Sequence, residues 1–319
     1  FYYIFYIILM LIHEMPDDMI IYILSFIKDT PNYINCRSLN RMFRKLFYLG
    51  LIFHNNILKA SISFKHGMRH GKYITYENNN IKSIRNYNMD KLYGKCCYYY
   101  ENKPIILINY KNNIRHGLKI DMFENGEVKL KENYFYGLYH GKQYLFFDNK
   151  KLQMVNNYYM GVLNGLQKEY YINGKLRNNK FYKDGLLHKK QYYYTGDGKL
   201  LNFSTYNSNK LNGRSVWYYP NGTKGYVGIY KDDLLHGRSI RFWENGNIKG
   251  INNYRNGLYS GLQVEYDIYE NVKDMSYYYC GIRNGFQIKF SDNILDSIYY
   301  YSNDELILER HFNNLMVDL

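Results

Sequence analysis

Little in this sequence points to chemistry. Four cysteines, Cys36, Cys96, Cys97 and Cys280, are too few and too irregularly placed for a disulfide framework or for the paired CxxC spacing of a zinc site, so a reducing compartment follows. The vicinal pair Cys96-Cys97 would face opposite sides of a strand, which argues against a redox couple. There is no Gly-rich phosphate loop between a strand and a helix and no Ser or Cys placed with a base. The carboxylates are scattered, so the expectation is a non-enzymatic protein without cofactor or metal. No run of five like charges occurs despite a formal net charge of +14. Lys and Arg are interleaved with Asp and Glu along the chain, which reads as a solvated basic surface, and nucleic acid is not expected as a partner. Phe1 to Ile12 is apolar but falls short of the roughly twenty residues that span a bilayer, and it lacks the basic flank and cleavage site of a signal peptide. The sequence opens on Phe, with Met10 a candidate start, so residues 1–12 stay outside the fold argument.

What is abundant is tyrosine, 41 residues of it, beside 17 Phe. A side chain with an apolar body and a polar tip suits a thin sheet whose residues are never far from water, rather than a thick core.

A repeat organises most of the chain. With the glycine of a recurrent His-Gly-like pair as position zero, taken as a turn, the copies fall at Gly71, Gly94, Gly117, Gly141, Gly165, Lys189, Gly213, Gly237, Gly261 and Gly285. The step is 23 residues twice and 24 thereafter. Position five is aromatic in nearly every copy, as in Tyr170, Tyr194, Tyr218 and Phe242; position three is mostly apolar and position two mostly Gln, Ser or Lys. Period-two alternation of this kind predicts a strand with one packed face. Dipeptides such as Asn125-Gly126, Asn173-Gly174 and Asn245-Gly246 predict tight hairpins, and a second strand runs to a Tyr at position seventeen, for example Tyr230 and Tyr254. A further glycine follows in several copies (Gly137, Gly161, Gly185, Gly257, Gly281). Each copy is thus one β-hairpin, and hairpins added edge to edge give an elongated antiparallel ribbon on the order of 95 Å long, with rings stacking in rows. Five histidines, His70, His116, His140, His188 and His236, precede position zero; turn geometry accounts for them better than a metal row, because successive copies stand roughly 9–10 Å apart. Lys189 implies either a changed turn or a strained backbone. Ser302-Asn303-Asp304-Glu305 resembles a capping box, and Leu306 to Leu319 is apolar enough to cover the last hairpin.

The fold class is therefore mainly β: a hairpin-repeat ribbon over residues 51–290, a C-terminal cap over 291–319, and a small helical module over 13–50. That module begins with Pro16 where a helix can start, Asp17 and Asp18 at the positive end of its dipole, and Ile20, Ile23, Leu24 and Ile27 at helical spacing. Pro31 breaks it, and Ile34, Leu39, Met42, Phe43 and Leu46 mark a second helix. So short a module cannot bury this apolar surface alone, which implies a partner.

Met15-Pro16-Asp17-Asp18-Met19-Ile20, Ile23 to Ile27, and Ser38 to Leu46 resemble the F-box, a helical module that docks on the Skp-type adaptor of a cullin ubiquitin ligase. The resemblance implies that Pro16, Ile20, Ile23, Leu24 and Leu39 meet the adaptor. Met15 and Asp18 stand where Leu and Glu are usual, and 29–33 departs from the usual lead into the second helix. Tyr182 to His188 and Tyr230 to Gly246 resemble MORN repeats in the variant form found in bacterial antitoxin-like proteins and in F-box proteins of giant DNA viruses. Together these likenesses imply a non-catalytic substrate receptor in the cytoplasm, of the host if the chain is viral, that bridges a Skp-cullin ligase to a target protein through the repeats. The alternative is a MORN-type scaffold without a ligase link that binds a protein or, through basic charge and the apolar N-terminus, a membrane surface.

Overall fold

Alternating side chains demand extended backbone, and the chain answers with antiparallel strands. The computed structural model describes residues 49–54, 57–65 and 68–312. The segment 1–12 and the helical module expected over 13–50, Leu49 and Gly50 excepted, lie outside the described residues. Residues 1–141 and 142–319 form two compact units. In the first, strands run from Leu49–His54 to Leu138–Tyr139; in the second, they run from the strand ending at Phe146 to Glu305–His311. Both repeat the same hairpin.

The copy around Gly237 shows its construction. Strand Lys224–Lys231 reverses at Asp232 and Asp233, whose φ angles of 49° and 70° make a two-residue primed turn, and returns as Leu234–Leu235. Tyr230 faces Leu235 and Val227 faces Ile240, so Gly228 and Ile229 oppose the four residues 236–239. Gly237, at φ 89°, sits in that widened stretch and the strand continues through it to Phe242. Position zero is therefore a bulge, and the chain reverses a few residues earlier. The expected His-Gly turn is corrected accordingly; a left-handed glycine serves either feature, so the residue type alone could not separate them. Lys189 holds the same left-handed conformation, at φ 64°, and bears a strain of about 1–2 kcal/mol.

The Asn-Gly dipeptides close hairpins, but by a longer loop than a two-residue turn. Only the glycine is left-handed, at φ 86° in Gly126 and 96° in Gly246, and its N–H donates to the carbonyl three residues back, Phe123 and Trp243 respectively, both at 2.9 Å. The asparagine works in two directions. Asn173 Oδ1 accepts the Lys175 N–H at 2.9 Å, and its Nδ2 donates to the Gly196 carbonyl of the next loop at 2.7 Å; Asn221 repeats both bonds with Thr223 and Glu244 at 2.9 Å each. Two-residue primed turns at Asn78-Asn79 and Glu101-Asn102 replace this loop in the first two copies, which is where the missing residue of the 23-residue steps lies. Asn303-Asp304 makes a similar turn between Ile294–Ser302 and Glu305–His311, so the capping-box residues reverse a hairpin instead of starting a helix. Asn and Asp favour both settings.

Register assigns the two faces. Position two, which alternation places opposite the apolar positions, holds some of the most buried side chains: Gln191 and Cys96 are 0% exposed and Ser239 1%. The bulge supplies the reason. Gln191 Nε2 donates to the carbonyls of His188 (2.8 Å) and Phe181 (3.2 Å), and its Oε1 accepts the Phe181 N–H at 2.8 Å. Gln263 makes the same pair of bonds to the backbone of Asn253, at 2.9 and 3.1 Å. The side chain fills the ladder where the bulge opened it. The opposite face carries Val216, Val227 and Val264, buried at positions three and fourteen. Among the described residues no ring pair joins successive fifth-position aromatics, because copies about two strand spacings apart are too distant for ring contact. Rings that do meet include Tyr134 with Tyr139, and Tyr259 with both Tyr254 and Tyr278, at 4.9 to 5.2 Å.

Two outcomes follow. Deleting 213–236, one whole copy, will keep the far-ultraviolet β spectrum and shift Tm by only a few degrees, whereas deleting 213–224 will abolish the fold, since half a copy breaks the hairpin register. Gln191→Leu will leave buried backbone groups unpaired and lower stability in urea titration by about 1–3 kcal/mol.

Candidate interaction face

The polar face presents charges that are already engaged. Lys119 Nζ lies 2.6 Å from Asp121 Oδ2 and 3.1 Å from Glu132 Oε2, and the Tyr134 hydroxyl donates to that same Glu132 oxygen at 3.0 Å. Further along, Arg241 pairs with Glu265, and Asp274 accepts hydrogen bonds from Gln287 and Ser276. The Lys119 cluster ties the two strands of one hairpin, while Glu265 and Asp274 join neighbouring hairpins. Burial pushes the Tyr254 phenol up to about 12, and drives Tyr134 and Tyr226 in the same direction. Space on this face is tight: a Cβ on Gly225 would come within 1.9 Å of the Trp217 ring, which lies on the bare backbone.

Two of the histidines before position zero reach the next primed turn. His116 Nδ1 faces the Tyr136 N–H, and His236 Nδ1 the Asn256 N–H, both at a long 3.4 Å. Among the described residues no three His, Cys, Asp or Glu side chains converge as metal ligands. Cys96 is buried and Cys97 half-buried on the other face of their strand.

The apolar face is the accessible one. Leu262, Tyr277 and Phe286 are about half exposed and, with Met275, Gly285 and Ile288, line a shallow cavity of about 260 Å³. Val162, Leu186, Leu234, Leu258 and Ile282 occupy equivalent exposed positions at the primed-turn edge, an aliphatic row interrupted by Lys210. This surface escaped sequence reading because its residues are 24 apart in the chain; the signal was the column of equivalent positions. Pro16, Ile20, Ile23, Leu24 and Leu39, the residues expected to hold an adaptor, lie outside the described residues. No described helix is long and apolar enough to cross a membrane.

Residues 163–184 and 235–256 match the MORN repeat variant family. Each match begins in the short strand after a primed turn and runs through the bulge and both strands to the next primed turn. At these two segments the chain is similar to MORN-variant repeats. Comparison with curated proteins finds no match. Of solved structures, the crystal structure of TcdB2-TccC3-Cdc42 aligns at 10% identity over 82% of this chain and 16% of its own, with a TM-score of 0.18. That of TcdB2-TccC3 aligns at 12% identity over 83% and 15%, with a TM-score of 0.14. The chain thus spans a small fraction of those neighbours, and scores this low support no argument from them.

Raised tyrosine values in the repeats carry a pH consequence. A phenol whose folded value lies above the ordinary 10.0 stabilises the fold below pH 10, and that contribution is lost as pH rises toward about 12. Tyrosinate absorbance and β-sheet circular dichroism will therefore change together between about pH 10 and 12, with no loss of structure from alkali below pH 9.

Proposed function

We propose that this protein is a non-catalytic substrate receptor. Its F-box-like residues hold the Skp-type adaptor of a cullin ubiquitin ligase, and the MORN-variant repeats hold a target protein. One observation carries the reading: a helical-period apolar pattern, in register with the F-box over residues 15–46, stands directly before a repeat array whose accessible face is half-exposed and apolar. The engaged carboxylates of the polar face fit a scaffold role. In such a receptor the acceleration of ubiquitin transfer comes from raised effective concentration, while other subunits perform the chemistry.

Co-purification with a Skp-type adaptor tests the assignment. The native chain will retain the adaptor, and Leu24→Lys, which puts a charge on the apolar helical face, will lose at least tenfold of that retention. Failure of the native chain to bind the adaptor would refute the receptor role.

A further inference from the structure

Charges that are interleaved along the chain are sorted by the sheet. In the unit from residue 142 onward, register places Lys183, Lys190, Arg214, Lys231, Arg238 and Arg255 on the apolar face, beside Val216, Val227 and Val264. No Asp or Glu occupies a strand position of that face from Lys142 to Ser291. Acidic strand residues lie on the other side, where Glu169 meets Arg177, Glu265 meets Arg241, and Asp274 meets Gln287; the remaining acids sit in turns, such as Asp184, Asp197 and Glu244.

At position one the side chains of three successive copies, Lys190, Arg214 and Arg238, form an exposed column. None of the three joins an ion pair among the described residues. Successive copies are two strand spacings apart, so the cations recur every ~9.6 Å. Beside them stand Ile229 and Leu262, each 44% exposed, and the column continues into Phe286 at the shallow cavity.

Cations without carboxylate partners call for an anionic partner, and the spacing and neighbours narrow its class. A single phosphate needs donors that converge, which a ~9.6 Å column does not provide. Single-stranded nucleic acid takes its affinity from aromatic side chains on which bases stack; the exposed neighbours Ile229 and Leu262 are aliphatic, and the exposed ring of Phe286 stands two copies beyond Arg238. A polypeptide satisfies both, its acids meeting the cations and its aliphatic side chains covering Ile229 and Leu262. A segment in the polyproline II conformation advances ~3.1 Å per residue with three residues per turn, so acids at every third position share one side and match the column.

We infer that the cationic apolar face of residues 142–291 binds an extended acidic polypeptide segment with aliphatic side chains between its acids. The inference rests on the receptor reading only in making this segment part of the target. The test uses the full chain and a fifteen-residue probe of the repeating sequence Glu-Leu-Ser, with oligothymidylate and phosphatidylserine vesicles as competing probes. The native protein will bind the peptide in a salt-sensitive manner and more tightly than either competitor. K190E/R214E/R238E will lose at least tenfold in affinity, its neutral counterpart K190Q/R214Q/R238Q will lose severalfold, and I229S will lose severalfold without altering the salt dependence. Thermal melts will confirm that all three variants fold. Lack of peptide binding, equal binding by both charge variants, or tighter binding of oligothymidylate or vesicles would overturn the inference. Adaptor capture, measured in parallel, separates this failure from failure of the receptor reading, because the face variants will retain the adaptor and Leu24→Lys will retain the peptide.

Discussion

A left-handed residue in the middle of a strand is the constraint on which each repeat depends. It lets one strand carry two more residues than its neighbour, and it leaves backbone donors and acceptors without ladder partners. Burying them unpaired would cost about 1–3 kcal/mol per group, repeated in every copy. The side chain two residues on is placed to take them up. Gln191 and Gln263 do so directly, while Asn109, Asn253 and Thr205 each donate to a carbonyl across the next bulge. Polar residues are buried here because the backbone requires them.

The same logic explains the composition. Asparagine accepts within its own loop and donates to the next, which neither Asp nor Gly can do, so its abundance has a structural cause at Asn173, Asn221 and Asn245. Tyrosine contributes ring area together with a hydroxyl that reaches the next copy, as when Tyr171 donates to the Tyr194 carbonyl and Tyr219 to that of Phe242. Most of these bonds span 20 to 25 residues in sequence, so they join each hairpin to its neighbour and stability accrues copy by copy.

Periodicity made the hairpin repeat, its strand alternation and its 24-residue step legible in the sequence. Three features were not legible, each for a physical reason. The Gly237 bulge reads as a turn in the sequence because both require positive φ. Position two, where Gln191 stands, reads as lying off the packed face because alternation marks faces by polarity, and polarity fails when backbone gaps are what a buried side chain must fill. The column of Lys190, Arg214 and Arg238 was hidden because charge sorting is a property of faces, whereas the eye reads neighbours along the chain. The adaptor residues Pro16, Ile20, Ile23, Leu24 and Leu39 remain a reading of pattern alone.

Hydrogen exchange at the Phe181 and Asn253 amides measures the central claim most directly. Their N–H groups are bonded to the side-chain oxygens of Gln191 and Gln263 rather than to a strand. The account predicts that both amides exchange as slowly as those of the ladder on either side, and that Gln191→Leu speeds exchange at Phe181 while leaving Asn253 unchanged. Exchange at both sites in the native protein as fast as in the exposed turns would contradict it.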